Sequence, residues 1–296
     1  VSSSIAFRSF AGIWLASIVV LLLTDPQSAM LSVGGALFAS LLAWFTYKLV
    51  RGPGPETQDV LRASGSPRQL TAQRIIVIGA ACWVMLYGWV FGSLMAKGQW
   101  MRVPYLTHFL GSLYRTRTPL HDSAAPFFEF AIIVVLPGAL LLLCGANHRQ
   151  LGLTRPAPGT LRATAACIAL AVIFAAIGMA THKITVAAFG WLLLHNFFSN
   201  GFAEEFFARG MVMSHLRARL TDDWALVVQA CIFAAAHFGS TLPEASIHGN
   251  PLLALANNVA LNAPMGLALG FMALRGRSLV QGTIIHMFLD TMTKTM

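Results

Sequence analysis

The chain has 296 residues, of which 56% are hydrophobic and 10% charged, and its formal net charge is +9. A soluble domain averages about 25% charged residues, so this composition excludes an ordinary soluble fold and points to a chain that meets lipid. A nucleic-acid binder would gather its basic residues on one folded face or stripe. Here Lys48, Arg51, Arg62, Arg68 and Arg74 flank two apolar runs, and Arg149, Arg155 and Arg162 fall in another connection. That is the positive-inside pattern of a membrane protein, and no nucleic-acid partner is expected.

A spanning helix needs about 20 apolar residues. The first run, near 5–23, carries Arg8 and is followed after a very short polar gap by a second, 29–49; it therefore reads as a retained helix and not as a removed signal. A polar connection over 50–74 contains Gly52-Pro53-Gly54-Pro55, and the next run covers 75–95. The connection 96–126 mixes Lys97, Arg102, Arg115 and Arg117 with Pro104, Pro119 and Pro126. Further runs follow at 127–144, 162–181, 185–214, 224–240, 251–274 and 278–293. The stretch 185–214 is too long for one ordinary span, so it is either tilted or broken around Ser199-Asn200-Gly201, where short polar side chains and Gly interrupt the helix signal. Alternation with a period of two is missing, which excludes a transmembrane barrel.

The expected fold is all-α: one polytopic membrane domain over 1–296, with about eight or nine transmembrane helices around a polar intramembrane cavity. Residues 1–184 are expected to form variable N-terminal helices and 185–296 the core. Nine crossings put the N-terminus, 50–74, 145–161, 215–223 and 275–277 on the cytoplasmic side, with the basic 96–126 loop opposite, against the charge rule. Cys82, Cys144, Cys167 and Cys231 stand singly in apolar runs, so they suggest core packing and no disulfide framework.

Against this apolar background, Glu204 and Glu205 are adjacent in Gly201-Phe202-Ala203-Glu204-Glu205-Phe206-Phe207-Ala208-Arg209-Gly210. His237 ends one later apolar run, and His286 and Asp290 share another. Ionisable groups at membrane depth are costly unless they pair or face a cavity. Residues four apart share a helix face, so Glu205 and Arg209 are expected to pair, which makes both tolerable at low dielectric. Glu204 is rotated by about 100° from Glu205 and is left to face a cavity. Phe233 lies one turn before His237 and is expected to pack beside it. Glu204 and His237 can hold and deprotonate a water, while His286, oriented by Asp290, can donate to a developing oxyanion. These parts suffice for amide hydrolysis.

Blander readings exist for each group. Glu205–Arg209 alone is an ordinary structural pair, and a lone His237 or His286 is as often a core or pore-lining histidine. His182, His215 and His248 read as interfacial, His195 as packing or pore-lining, and Lys183, Arg217 and Arg219 as membrane-boundary markers. Glu204, His237, His286 and Asp290 could together hold zinc, although the zincin signature His-Glu-x-x-His is absent. No Gly-x-Ser-x-Gly elbow, phosphate loop or dinucleotide fingerprint occurs. A transporter would show an internal repeat with paired broken helices, and none is visible.

Three ordered motifs resemble the CPBP family, the type II CAAX prenyl protease and Abi-type bacteriocin-processing group. Glu-Glu-x-x-x-Arg is matched by Glu204 to Arg209 with Gly210 after it, Phe-x-x-x-His by Phe233 to His237, and His-x-x-x-Asn/Asp by His286 to Asp290. Gly266-Leu267-Ala268-Leu269-Gly270-Phe271, then Leu274-Arg275 and Ser278-Leu279, are also similar to the family. The resemblance covers roughly 190–293. It implies a glutamate-type intramembrane endopeptidase with no metal and no cofactor. In it Glu204 and His237 activate water, His286 and Asp290 form the oxyanion side, and Glu205 and Arg209 brace the site.

Two positions depart from the pattern. Ala208 stands where Phe is frequent, and Asp290 where well-known members carry Asn. An ionised Asp290 would repel an oxyanion, so it orients His286 or stays protonated. The implied substrate is a membrane-associated protein or peptide, lipids are the other partners, and a bacterial inner membrane is the expected location. A prenylated substrate is not expected. The alternatives are a non-enzymatic bacteriocin-immunity or scaffold protein and a zinc-dependent membrane protease.

Overall fold

The computed structural model describes residues 2–51, 60–95, 104–116, 125–180, 185–242 and 249–293. Gly52-Pro53-Gly54-Pro55, Lys97, Arg102, Arg117, Pro119, His182, Lys183 and His248 lie outside the described residues. Helices dominate, and no strand occurs among the described residues. They are α1 (Ser2–Thr24), α2 (Pro26–Leu49), α3 (Pro67–Met95), α4 (Pro104–Arg115), α5 (Ala125–Leu143) and α6 (Thr160–Ala180). A helical stretch over 186–217, here α7, is followed by α8 (Asp222–Ala236), α9 (Phe238–Thr241), α10 (Pro251–Gly276) and α11 (Val280–Thr293).

Among the described residues, six helices are long and apolar enough to cross a membrane: Ile5–Thr24, Pro26–Leu49, Pro67–Val90, Ala125–Leu143, Asp222–Thr241 and Pro251–Gly276. Their outward faces are apolar too, with Leu23, Leu31, Ile78 and Leu143 exposed, as lipid contact requires. Three further expected spans are helical but not among these six. Of them, α11 has 14 residues, and at about 1.5 Å per residue it is shorter than a hydrocarbon core of about 30 Å. Only Cys167 of the four cysteines is buried; Cys82 is exposed on α3, so core packing does not hold for all of them.

The chain divides into two compact units. The first comprises Val1–Ser40, Val77–Ala125 and Arg219–Ala268. Its core joins Ile18, Leu21, Ala29, Leu242, Leu253, Ala254 and Ala260, with Trp14 and Phe238 packed against them. Pro264 lies inside α10, and a proline lacks the N–H that the carbonyl four residues earlier would accept. That carbonyl belongs to Ala260, and it accepts instead from the Trp14 indole at 2.9 Å. The end of α8 is held by close backbone approach. A Cβ on Gly88 would stand 3.0 Å from the Ala236 carbonyl, and one on Gly239 would strike the Gly88 backbone.

The second unit comprises Leu41–Ile76, Pro126–Ala218 and Leu269–Met296. Of the connections expected on one side of the membrane, the described residues 50–51 and 60–74 of the first, 145–161, 215–218 of the third and 275–277 meet at one end of this unit. Arg51 N–H donates to the Pro158 carbonyl, Leu61 N–H to Arg149, Ala157 N–H to Gly276 and Leu279 N–H to Gly152. Arg217, expected as a boundary marker, is buried. It donates to the carbonyls of Val60 and, at 2.8 Å, Leu61, while Arg62 Nε donates to the Arg217 carbonyl at 3.0 Å. His215 is also buried rather than interfacial; its Nδ1 lies 2.8 Å from the Met211 carbonyl and its Nε2 3.3 Å from Gln73 Oε1.

Within α7 the expected break around Ser199-Asn200-Gly201 is a π-helical turn, Phe197–Gly201, and a second π-helical stretch covers Phe206–Met213. The helix is re-phased there, not interrupted. In a π turn residues five apart align, and the rings of Phe197 and Phe202 stack at 5.5 Å, with Phe202 on Phe206 at 5.8 Å. Phe130 of α5 packs edge-on against Phe198 at 5.1 Å. Such π-bulges in helices are frequent at functional sites.

Candidate active site

Glu204, Glu205, Arg209, His286 and Asp290 come together in the second unit, between α7 and α11. Arg209 Nη1 donates to Glu205 Oε1 at 2.9 Å, and both side chains are fully buried. The i,i+4 spacing makes the pair local, and burial in apolar surroundings makes it obligatory. The same Glu205 Oε1 lies 3.1 Å from His286 Nδ1. An ionised carboxylate only accepts, so Nδ1 carries the hydrogen. The other nitrogen, Nε2, faces Glu204 Oε2 at 3.7 Å and Asp290 Oδ2 at 3.9 Å, beyond direct hydrogen bonding. One imidazole therefore sits against three carboxylates, with the adjacent glutamates addressing opposite ring nitrogens.

Accessibility divides these groups. Glu205 and Arg209 are at 0%, whereas the Glu204 and Asp290 side chains retain 27% and 23%. The braced pair forms the interior, and Glu204 with Asp290 forms the reachable edge.

Close backbone approach makes this possible. On α11, a Cβ at Gly282 would lie 2.6 Å from Glu205 Oε2. On α7, one at Gly201 would lie 2.5 Å from Met287 and 3.2 Å from the Thr283 carbonyl. Two further polar contacts cross the same seam: Asn200 Nδ2 donates to Asp290 Oδ2 at 2.5 Å, and Asn196 Nδ2 to Thr291 Oγ1 at 2.8 Å. Partner numbers fall on α11 as they rise on α7, so the two helices run antiparallel. Sequence reading singled out none of Asn196, Asn200, Gly282 and Thr291 as site residues. The signal for them in the sequence is the i,i+4 row Asn196, Asn200, Glu204 in an apolar run, where Asn200 counts only as part of a helix break.

Phe233 and His237 lie together in the first unit. Their rings are 4.9 Å apart, and His237 Nδ1 is 2.8 Å from the Phe233 carbonyl. A carbonyl accepts only, so Nδ1 carries a hydrogen and the neutral ring presents its lone pair at Nε2. Gly266 lets α10 approach α8 here; its carbonyl accepts from Gln229 Nε2 at 2.7 Å, and a Cβ on it would meet Ala230 Cα at 3.1 Å. One turn beyond, Thr241 Oγ1 donates to Asn258 Oδ1 at 3.0 Å. Among the described residues, no group of three or more His, Cys, Asp or Glu side chains is arranged to hold a metal ion.

Comparison with family models matches residues 186–292 to the family described as type II CAAX prenyl endopeptidase Rce1-like. This part of the chain is similar to that family. The match agrees with the CPBP resemblance of the motifs and spans the residues of α7, α8, α10 and α11 discussed above. The Rce1-like family is one of CAAX-type membrane proteases, and with six helices of spanning length among the described residues the chain is an integral membrane protein. No curated protein and no solved structure matches the chain.

Proposed function

We propose that the protein is an intramembrane endopeptidase that hydrolyses a peptide bond of a membrane-associated protein through a water activated by Glu204 and His237. In this reading 185–296 is the catalytic core and 1–184 forms family-variable N-terminal helices, in a bacterial inner membrane. The observation that carries it is the arrangement at His286: the buried Glu205–Arg209 pair holds Nδ1, and the carboxylates of the partly exposed Glu204 and Asp290 side chains face Nε2.

The water gives a proton to the Glu204 carboxylate as its oxygen bonds the peptide carbon, with the His237 Nε2 lone pair accepting its second hydrogen bond. The carbonyl electron pair moves onto oxygen, on the side of His286 and Asp290. When the C–N bond breaks, Glu204 returns the proton to the leaving amine, as a general acid. Glu205 and Arg209 fix His286 and touch no substrate, and Phe233 packs the His237 ring. No metal or cofactor has a part in these steps. The substrate presents a terminal or locally unfolded segment, because a regular transmembrane helix keeps its carbonyls in its own hydrogen bonds.

The test is terminal-peptide mass spectrometry on membranes from cells expressing wild type, Glu204→Gln or His237→Ala. A precursor with an unprocessed tail should accumulate in both variants at normal protein yield. Processing at the wild-type level in both variants rejects the roles of Glu204 and His237. Identical proteomes with an intact cellular phenotype in the Glu204→Gln strain would favour an immunity or scaffold protein.

A further inference from the structure

We propose that Asn200 is a catalytic donor, whose amide, held in place by Asp290, donates to the carbonyl oxygen as it becomes negative. This rests on the proteolytic reading above and adds a residue to it.

The site is built from acceptors. Glu204, Glu205 and Asp290 place three carboxylates around one imidazole; Glu205 is paired with Arg209 and Glu204 holds the water's proton as the oxygen becomes negative, so Asp290 is the carboxylate that repels it. The hydrogen on His286 Nδ1 is directed at Glu205. A ring protonated at both nitrogens donates from Nε2, whereas in a neutral ring Nε2 carries a lone pair and cannot donate.

Asn200 differs from these groups. Its Nδ2 lies 2.5 Å from Asp290 Oδ2, and facing a carboxylate the amide must turn its nitrogen, not its oxygen, toward that contact. The bond fixes the orientation of a planar group with two N–H hydrogens. One is directed at Asp290, and the plane of the amide sets the direction of the second. Asp290 Oδ2 is also the atom that faces His286 Nε2, so a single carboxylate oxygen ties the amide to the reacting edge. Asn200 is half-buried and lies one turn before Glu204. A neutral amide donates at every pH and in every charge state of the histidine. During the reaction the electron pair of the carbonyl bond moves onto oxygen, the Asn200 N–H hydrogen-bonds to it, and no bond to Asn200 forms or breaks.

Four variants test this: Asn200→Leu, Asn200→Leu with Asp290→Asn, Asn200→Leu with Asp290→Leu, and Glu204→Gln. Each is purified in detergent, its thermal unfolding recorded, and added to membranes of cells lacking the protein. The initial rate of precursor loss is read by terminal-peptide mass spectrometry. Asn200→Leu should slow processing by about 100-fold or more, the usual effect of losing one oxyanion donor. Adding Asp290→Asn to Asn200→Leu returns an amide to the seam. That double variant should process about tenfold faster or more than the one with Asp290→Leu, at equal unfolding temperature.

A structural role for Asn200 predicts that both double variants, each free of the stranded carboxylate, process alike; that result overturns the proposal. The comparison stands even if Asn200→Leu fails to fold. Processing at the wild-type rate by Glu204→Gln would reject the proteolytic reading and this inference with it. An inactive Glu204→Gln beside fully active Asn200 variants would reject this inference alone.

Discussion

A Cβ on Gly282 would stand 2.6 Å from Glu205 Oε2, so the bare α-carbon of Gly282 is what admits a buried carboxylate between α7 and α11. Gly282→Ala gains about 1 kcal/mol of helix propensity, but overpacking a full interior costs about 1–3 kcal/mol. The carboxylate that must yield is fixed by Arg209 and His286. We expect a lower unfolding temperature and a processing rate reduced more than tenfold. A variant that is both more stable and fully active would show that Glu205 moves without consequence.

Breaking the buried pair from one side should be severe. Arg209→Leu leaves Glu205 charged at 0% exposure, and stranding one partner of a buried ion pair costs about 3–5 kcal/mol. Glu205→Leu together with Arg209→Leu should recover much of that stability without recovering activity, since Glu205 also holds His286 Nδ1. Denaturation in mixed micelles reads the first effect and precursor processing the second. Full activity in the double variant would remove Glu205 from the positioning of His286.

Trp14 and Ala260 offer a double-mutant cycle. Trp14→Phe removes the indole N–H that the Ala260 carbonyl accepts, worth about 0.5–1.5 kcal/mol for an ordinary hydrogen bond. In a Pro264→Ala background the helix supplies its own N–H to that carbonyl, and the same substitution should then cost less. Equal costs in the two backgrounds would mean that the indole acts through packing alone.

His215 gives a pH dependence with a definite sign. Burial lowers its pKa from the ordinary 6.5, the Met211 carbonyl opposes that shift, and Arg74 adds to it. A histidine whose folded pKa lies below its unfolded one binds fewer protons when folded, so its stability is complete above the unfolded value and falls as pH drops through it. Unfolding temperatures taken from pH 8 to pH 5 should decline more steeply for wild type than for His215→Leu. Parallel declines would place the acid sensitivity elsewhere.

Local periodicity carried much of the site. The i,i+4 spacing of Glu205 with Arg209, of Phe233 with His237 and of His286 with Asp290 can be read by counting, and each pair is in contact. Contacts between distant segments have no such signature. Asn200 meets Asp290 across 90 residues and Asn196 meets Thr291 across 95, so neither amide stood out from a polar break in the helix signal. The π turns were hidden for a related reason. Five-residue alignment accompanies the stacking of Phe197 on Phe202, and a 3.6-residue template does not look for it. Position in the sequence alone marks Arg217 and His215 as boundary residues, whereas the connections folded over them decide their burial.

The Trp14–Ala260 bond joins residues 246 positions apart, and this sets an order of events during biosynthesis. At about 5–20 residues per second, ribosomes need roughly 12–50 s to deliver Ala260 after Trp14 has emerged. For that interval α1 waits without its acceptor, and a helix made long before α10 is locked only when α10 arrives. When α10 arrives with Pro264, it carries a carbonyl without a helical donor into hydrocarbon, and the waiting indole is what receives it.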